Sequence, residues 1–130
     1  MKFHHFGQAV NDFSKAVSFY ESLNYECSKP AIDPLQKVEL VLCKSNEHPW
    51  VELIKPINES SPINNLLEKN NEIIYHLCYE VENVDEALMK YFAGFKYKCV
   101  SKPKPALLFN NRLVSFYYFK GLGIIEFLES

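Results

Sequence analysis

Two histidine–glutamate pairs are the residues of this sequence best suited to chemistry. Glu52 follows His5 after 47 residues, and Glu126 follows His76 after 50 residues. Each glutamate stands among aliphatic and aromatic residues, where an ionised carboxylate is costly to bury unless it is paired, protonated or bound to a cation. Two imidazole nitrogens and two carboxylate oxygens suit Ni, Co, Zn, Mn or Fe(II). If all four side chains converge, the ion could keep coordination positions open for water or substrate.

Each of these residues alone has a simpler interpretation. A strand histidine is more often a hydrogen-bonded core or surface residue than a metal ligand. Glu52 could face solvent while Val51 and Leu53 point inward. The metal site is favoured because both residue types recur at matching positions of an internal repeat. His4 should point to the opposite face from His5, and we interpret it as structural or exposed.

The repeat is a strand that runs into a helix. A shift of 71 residues brings together His5 and His76, Val10 and Val81, Ala16 and Ala87, and Tyr20 and Tyr91. Each copy continues with three further strands, as alternating and helical periodicities indicate. The first copy predicts strands over 2–10, 25–28, 38–43 and 50–54, with a helix capped by Asp12. The second predicts strands over 73–81, 95–101, 113–119 and 124–128, with a helix capped by Asn83 and ended at Gly94.

Two tandem βαβββ modules predict an α+β fold in which two curved sheets form a cup around a metal site. A length of 130 residues fits a single domain. We place module 1 at about 1–54, the connection at about 55–72 and module 2 at about 73–130. Ser61 as the N-cap and Pro62 at the first helical position predict a short helix in the connection. Proline pairs predict irregular breaks at 29–34 and 102–105, because proline cannot donate to a strand ladder.

Composition narrows the classes of function. The net charge is −2 and acids and bases look mixed, so we expect neither a nucleic-acid nor a membrane partner. No apolar run is long enough to span a bilayer, and no signal-peptide core follows Met1. The four cysteines contain no CxxC pair, which favours free thiols in a reducing compartment. We therefore expect a cytoplasmic protein.

Several segments together carry a family resemblance, and they lie at 5–12, 16–20, 51–56, 61–63, 76–81 and 123–126. They resemble the vicinal oxygen chelate superfamily, which includes glyoxalase I, methylmalonyl-CoA epimerase, bleomycin-resistance proteins and extradiol dioxygenases. The resemblance covers nearly the whole chain and implies paired βαβββ modules. It implies that the metal ligands are His5, Glu52, His76 and Glu126. It also implies a divalent metal cofactor and a homodimer. In such families the cup is completed either within one chain or across a dimer, and the sequence leaves both arrangements open.

Within the superfamily, the chain looks most similar to methylmalonyl-CoA epimerase and to glyoxalase I-like proteins. The connection after Glu52 and the strand around His76 are similar to the epimerases. The loop over 105–112 departs from them, because it lacks their glycines. Ala9 and Pro56 occupy positions where glyoxalase I usually has an arginine and an asparagine, which makes a glutathione-dependent glyoxalase the less favoured alternative.

The resemblance implies a metal-dependent isomerase, epimerase or lyase that removes a proton next to a carbonyl through a metal-stabilised enolate. The base would be Glu126 or Glu52, acting on a small-molecule carbonyl substrate. Weaker candidates for substrate binding are Arg112, Glu39 and Tyr118. Two alternatives remain: a non-catalytic binding protein of the antibiotic-resistance kind with the same fold, and a metal-stabilised structural domain.

Overall fold

A computed structural model describes residues 1–130 and shows an α+β protein. Its strands are β1 (Lys2–Ala9), β2 (Glu26–Cys27), β3 (Ala31–Asp33), β4 (Val38–Lys44), β5 (Trp50–Pro56), β6 (Ile73–Val81), β7 (Tyr97–Ala106), β8 (Arg112–Phe119) and β9 (Gly123–Glu129). Its helices are α1 (Phe13–Ser22), α2 (Ile63–Asn70) and α3 (Val84–Phe92), with a 3₁₀ turn at Leu107–Phe109. Two compact units are formed, one by residues 5–75 and one by residues 1–4 with 76–130. The predicted single domain, with its module boundaries at about 54 and 73, stays a prediction.

In the unit of residues 5–75 the strand order is β2-β4-β5-β1, and β3 also pairs with β4. β1 runs parallel to β5, whereas β2, β3 and β5 run antiparallel to β4. Helix α1 covers one face, where Phe13 packs with Val41, Val51 and Leu53. This packing leaves the alternate residues of each strand, including Glu52, on the other face.

The unit of residues 1–4 and 76–130 has the strand order β6-β9-β8-β7. β6 runs parallel to β9, and the two other pairings are antiparallel. Helix α3 covers one face through Leu88, which joins a core with Tyr117, Phe119 and Phe127. Glu126 alternates with the core residues of β9 and so lies on the face away from α3.

Side chains begin two of the helices as predicted. Oδ1 of Asp12 accepts the N–H of Ser14 at 3.3 Å, and Oδ1 of Asn83 accepts the N–H of Glu86 at 3.0 Å. The predicted Ser61 cap is wrong, because no side chain caps α2. The three helices have 10, 8 and 9 residues, so none of them could span a lipid bilayer.

Both predicted proline breaks are wrong in part. β3 lies inside the segment 29–34, and β7 continues through Pro103 and Pro105. β7 is the last strand in its order, so a proline without an N–H can face the open edge at little cost. The pairing of β7 with β8 shifts register between Cys99 and Ser101 and again between Ser101 and Lys104, and the second interval contains Pro103.

Candidate metal centre

The first histidine–glutamate pair lies on the parallel strands β1 and β5. The pairing sets Gly7 opposite Glu52, so His5 lies two residues away on the same face of the sheet. Nε2 of His5 is 3.6 Å from Oε1 of Glu52. His5 is 0% exposed and Glu52 is 5% exposed. The alternative in which Glu52 faces solvent is therefore wrong.

The second pair repeats this arrangement on the parallel strands β6 and β9. Cys78 lies opposite Glu126, and His76 is two residues from Cys78. Nε2 of His76 is 3.3 Å from Oε2 of Glu126, and both residues are buried. Phe116 lies opposite Glu126 on β8, and its ring meets the His76 ring edge-on at 5.3 Å between centroids. This contact limits how the imidazole can rotate.

The geometry of each pair fits a divalent ion. Ligand atoms about 2.1 Å from such an ion lie roughly 3.0 to 3.4 Å apart when they subtend 90 to 110°. The separation of 3.3 Å falls in this range and that of 3.6 Å is slightly wider. Nitrogen and carboxylate oxygen donors suit the borderline cations expected from the sequence. A cation would also offset the cost of burying each carboxylate.

Glu39 does not lie with Glu52. Its carboxylate is 3.3 Å from Nζ of Lys55, and that nitrogen is 5.1 Å from the centroid of the Phe13 ring. Phe13 belongs to α1, so Glu39 lies on the helix-covered face of the sheet. The strand register leads to the same conclusion. Leu42 pairs with Glu52 and so shares its face, whereas Glu39 is three residues from Leu42 along β4 and projects to the opposite face. The substrate role of Glu39 stays a prediction that this placement does not favour.

Arg112 and Tyr118 lie on the same sheet face as Glu126. Nη2 of Arg112 donates to Glu80 at 2.6 Å, and its Nε donates to the Glu129 carbonyl at 2.8 Å. Chiefly through its hydrogen bond, the guanidinium lowers the pKa of Glu80 below its ordinary value. Tyr118 is 45% exposed. Their roles in substrate binding stay predictions.

Sequence reasoning missed Glu80, the partner of Arg112. Glu80 follows His76 and Cys78 at every second residue of β6. This alternation is the signal that could have placed it on the face of the metal ligands.

Residues 4–116 match the family described as the Glyoxalase/Bleomycin resistance protein/Dioxygenase superfamily. The chain belongs to this superfamily. The match covers most of both βαβββ modules, including His5, Glu52 and His76. The family resemblance expected from the sequence is therefore confirmed.

Within the superfamily, the chain is similar to epimerases of CoA esters. It is 33% identical over 90 residues to the mitochondrial methylmalonyl-CoA epimerase of Bos taurus, which covers 68% of this chain and 51% of the relative. It is 34% identical over 85 residues to an ethylmalonyl-CoA/methylmalonyl-CoA epimerase of Cereibacter sphaeroides, covering 64% of this chain and 63% of that protein. The chain thus spans about half the length of its mitochondrial relative.

A solved structure has the same fold. The crystal structure of methylmalonyl-CoA epimerase from Mycobacterium tuberculosis superposes with a TM-score of 0.79 at 22% identity, over 98% of this chain and 87% of that one. The predicted α+β fold of tandem βαβββ modules is confirmed.

Proposed function

We propose that this chain is a divalent-metal-dependent epimerase that acts on an acyl-CoA at the carbon next to the thioester carbonyl. The observation that carries the proposal is the matched, buried histidine–glutamate pair in each module, with separations of 3.6 and 3.3 Å. Membership of the superfamily and similarity to methylmalonyl-CoA epimerases support it. We infer that both pairs bind one ion, with the ligands His5, Glu52, His76 and Glu126.

The chain's own residues divide the work as follows. His5 and His76 would hold the ion as neutral imidazoles, and Nε2 is the nitrogen that lies near the paired glutamate in each case. When bound, the ion supplies positive charge that stabilises negative charge developing on the carbonyl oxygen. Glu126 has two carboxylate oxygens, so one would hold the ion while the other would accept the substrate proton.

Epimerisation also requires that a proton return to the opposite face of the same carbon. Glu52 is the second carboxylate of the proposed ligand set and is buried like Glu126. We assign this second proton transfer to Glu52. Burial of both carboxylates keeps bulk water from competing with these transfers.

Solvent deuterium exchange tests the proposal. Purified protein is analysed for metals and then incubated in D₂O with methylmalonyl-CoA, and deuterium at the substrate carbon is followed by NMR. We expect exchange that stops on metal removal and returns on metal addition. Glu68→Gln, a change at an exposed carboxylate of α2, is the matched control and should exchange normally. Exchange that persists without metal, or a protein that takes up no metal, would contradict the proposal.

We also infer a homodimer in the cytoplasm. The dimer is supported by the family resemblance. The cytoplasmic location is supported by the cysteine content, since none of the four cysteines forms a disulfide in the structure. Sedimentation velocity on the purified chain and cell fractionation test the two inferences separately.

A further inference from the structure

Positive charge is concentrated in one continuous part of the chain. Residues 87–125 contain six lysines and Arg112 but no aspartate or glutamate. The whole chain has 14 basic and 16 acidic residues, so the remainder holds 14 − 7 = 7 basic residues and all 16 acidic ones. The expectation that acids and bases are mixed is therefore wrong for this segment. Such a separation of charge creates a local positive field.

Four of these lysines lie on or beside the edge strand β7, at 96, 98, 102 and 104. The strand is exposed along most of its length. No carboxylate forms an ion pair with any of the four. Their charges are therefore available to a ligand from solution.

The register places two of the lysines on the face that carries Glu126. The pairs on this face are Lys98 with Tyr118, Ser101 with Phe116 and Lys104 with Val114. Phe116 pairs in turn with Glu126, and directly paired residues project to the same face of a sheet. Ser101 is two strands from Glu126, about 10 Å. Lys98 and Lys104 flank Ser101 at three residues on either side, roughly 10 Å each.

We propose that Lys98 and Lys104 bind the phosphate groups of a coenzyme A thioester, which rests on the proposed function for the identity of the ligand. Coenzyme A carries a pyrophosphate and a 3′-phosphate, two separate anionic groups, and an ammonium group is a common phosphate-binding charge. Tyr118 lies beside Lys98 and is 45% exposed, so its ring offers a stacking surface for the adenine base. The reacting end of the substrate then points along the sheet face toward Glu126.

Exposed lysines on an edge strand have another common role, which is to prevent pairing with a second sheet. That role predicts no dependence of ligand binding on Lys98 or Lys104. The two explanations therefore differ in a measurable quantity, the affinity for free coenzyme A.

Isothermal titration calorimetry with free coenzyme A on the full chain measures this affinity. We expect Lys98→Gln/Lys104→Gln to weaken binding roughly tenfold, the effect of losing two partly exposed charge pairs. The control Lys15→Gln/Lys69→Gln removes the same charge from exposed sites elsewhere and should change affinity less than about twofold. Salt should weaken binding to the wild type more than to the Lys98/Lys104 variant.

A truncated substrate separates this inference from the proposed function. A pantetheine thioester lacks the nucleotide, so wild type and double variant should exchange its proton equally, while KM for the coenzyme A ester rises in the variant. Equal coenzyme A affinity in wild type and variant, or no measurable binding by the wild type, would overturn the phosphate site. Phosphate-dependent binding without proton exchange would instead overturn the epimerase function and leave the site standing.

Discussion

The two modules carry the same histidine–glutamate pair in different surroundings. In module 1, Leu42 lies opposite Glu52 across β4 and β5. In module 2, Phe116 lies opposite Glu126 and its ring contacts His76. The ligand types and the parallel strands beneath them are repeated, while the neighbours are not. The repeated histidine and glutamate side chains are the ones that a metal requires. The neighbours Leu42 and Phe116 differ, so the two modules can contact a substrate differently.

The same contrast holds further along each sheet face. Ala9, Val38 and Ile54 of module 1 are all at most 4% exposed. In module 2, Glu80 and Arg112 occupy the positions that correspond to Ala9 and Val38, and they form an ion pair at 2.6 Å. Module 1 thus provides apolar packing where module 2 provides a polar network.

Exchanging each carboxylate for its amide tests the contrast most strongly. Glu126→Gln should lower kcat for proton exchange by roughly 10²–10⁴, the range for loss of a general base, while an amide oxygen can still bind the ion. Glu52→Gln should lower it less, by about tenfold. Deuterium exchange and elemental analysis of both variants measure the difference. A larger loss in Glu52→Gln would reverse the assigned roles.

Removing one histidine at a time tests whether the two modules share an ion. Metal at 100 times its Kd stabilises the folded state by about 2.7 kcal/mol, so a chelator should lower the Tm of the wild type. His5→Ala and His76→Ala should each lower metal affinity at least about a hundredfold and abolish this shift. Calorimetric melting with and without chelator measures it. A shift that survives in either variant would contradict a shared ion.

Altering the neighbour on β8 tests the asymmetry directly. Phe116→Leu gives module 2 the residue type that module 1 has at Leu42, and should lower the free energy of unfolding by about 1–1.5 kcal/mol through loss of the ring contact with His76. Urea denaturation measures this change. Metal affinity should fall as well, because the imidazole is less restricted. Unchanged affinity would show that Phe116 packs without orienting His76.

Removing the guanidinium tests the polar network and has the smallest expected effect. Arg112→Gln should cost about 0.5–1 kcal/mol at pH 7, because the pair is partly exposed. Arg112 lowers the pKa of Glu80, so its stabilisation is present above the ordinary value of 4.5 and is lost as pH falls through the lower folded pKa. Urea denaturation at pH 7 and pH 3 checks this. Lys120→Gln is the control, and a cost of Arg112→Gln that is as large at pH 3 as at pH 7 would exclude this linkage, since the bond from Nε to the Glu129 carbonyl does not depend on pH.

Local patterns in the sequence predicted much of the fold. Asp12 and Asn83 were identified as caps because capping depends on residues two or three positions apart, and both caps are confirmed. The two histidines and two glutamates stood out because the repeat placed them at matching positions. The structure sets each histidine beside its glutamate, and their ligation of a metal stays a prediction.

The remaining features depend on contacts between distant residues. Pro103 is compatible with β7 only because that strand lies at an edge, which strand order decides and local sequence does not. The face on which Glu39 lies follows from the register of β4. Arg112 is 32 positions from its partner Glu80. Residue types gave no indication of that pairing.

Strand β1 belongs to both compact units, and the boundary falls between His4 and His5. Phe3 meets the ring of Tyr79, and His4 meets the ring of Phe109. Residues 1–4 are synthesised well before Tyr79 and Phe109, so they can pack only after those residues have left the ribosome. Residues 5–75 form their own unit and can fold earlier. Removing or tagging residues 1–4 should therefore delay the folding of residues 76–130 more than that of residues 5–75.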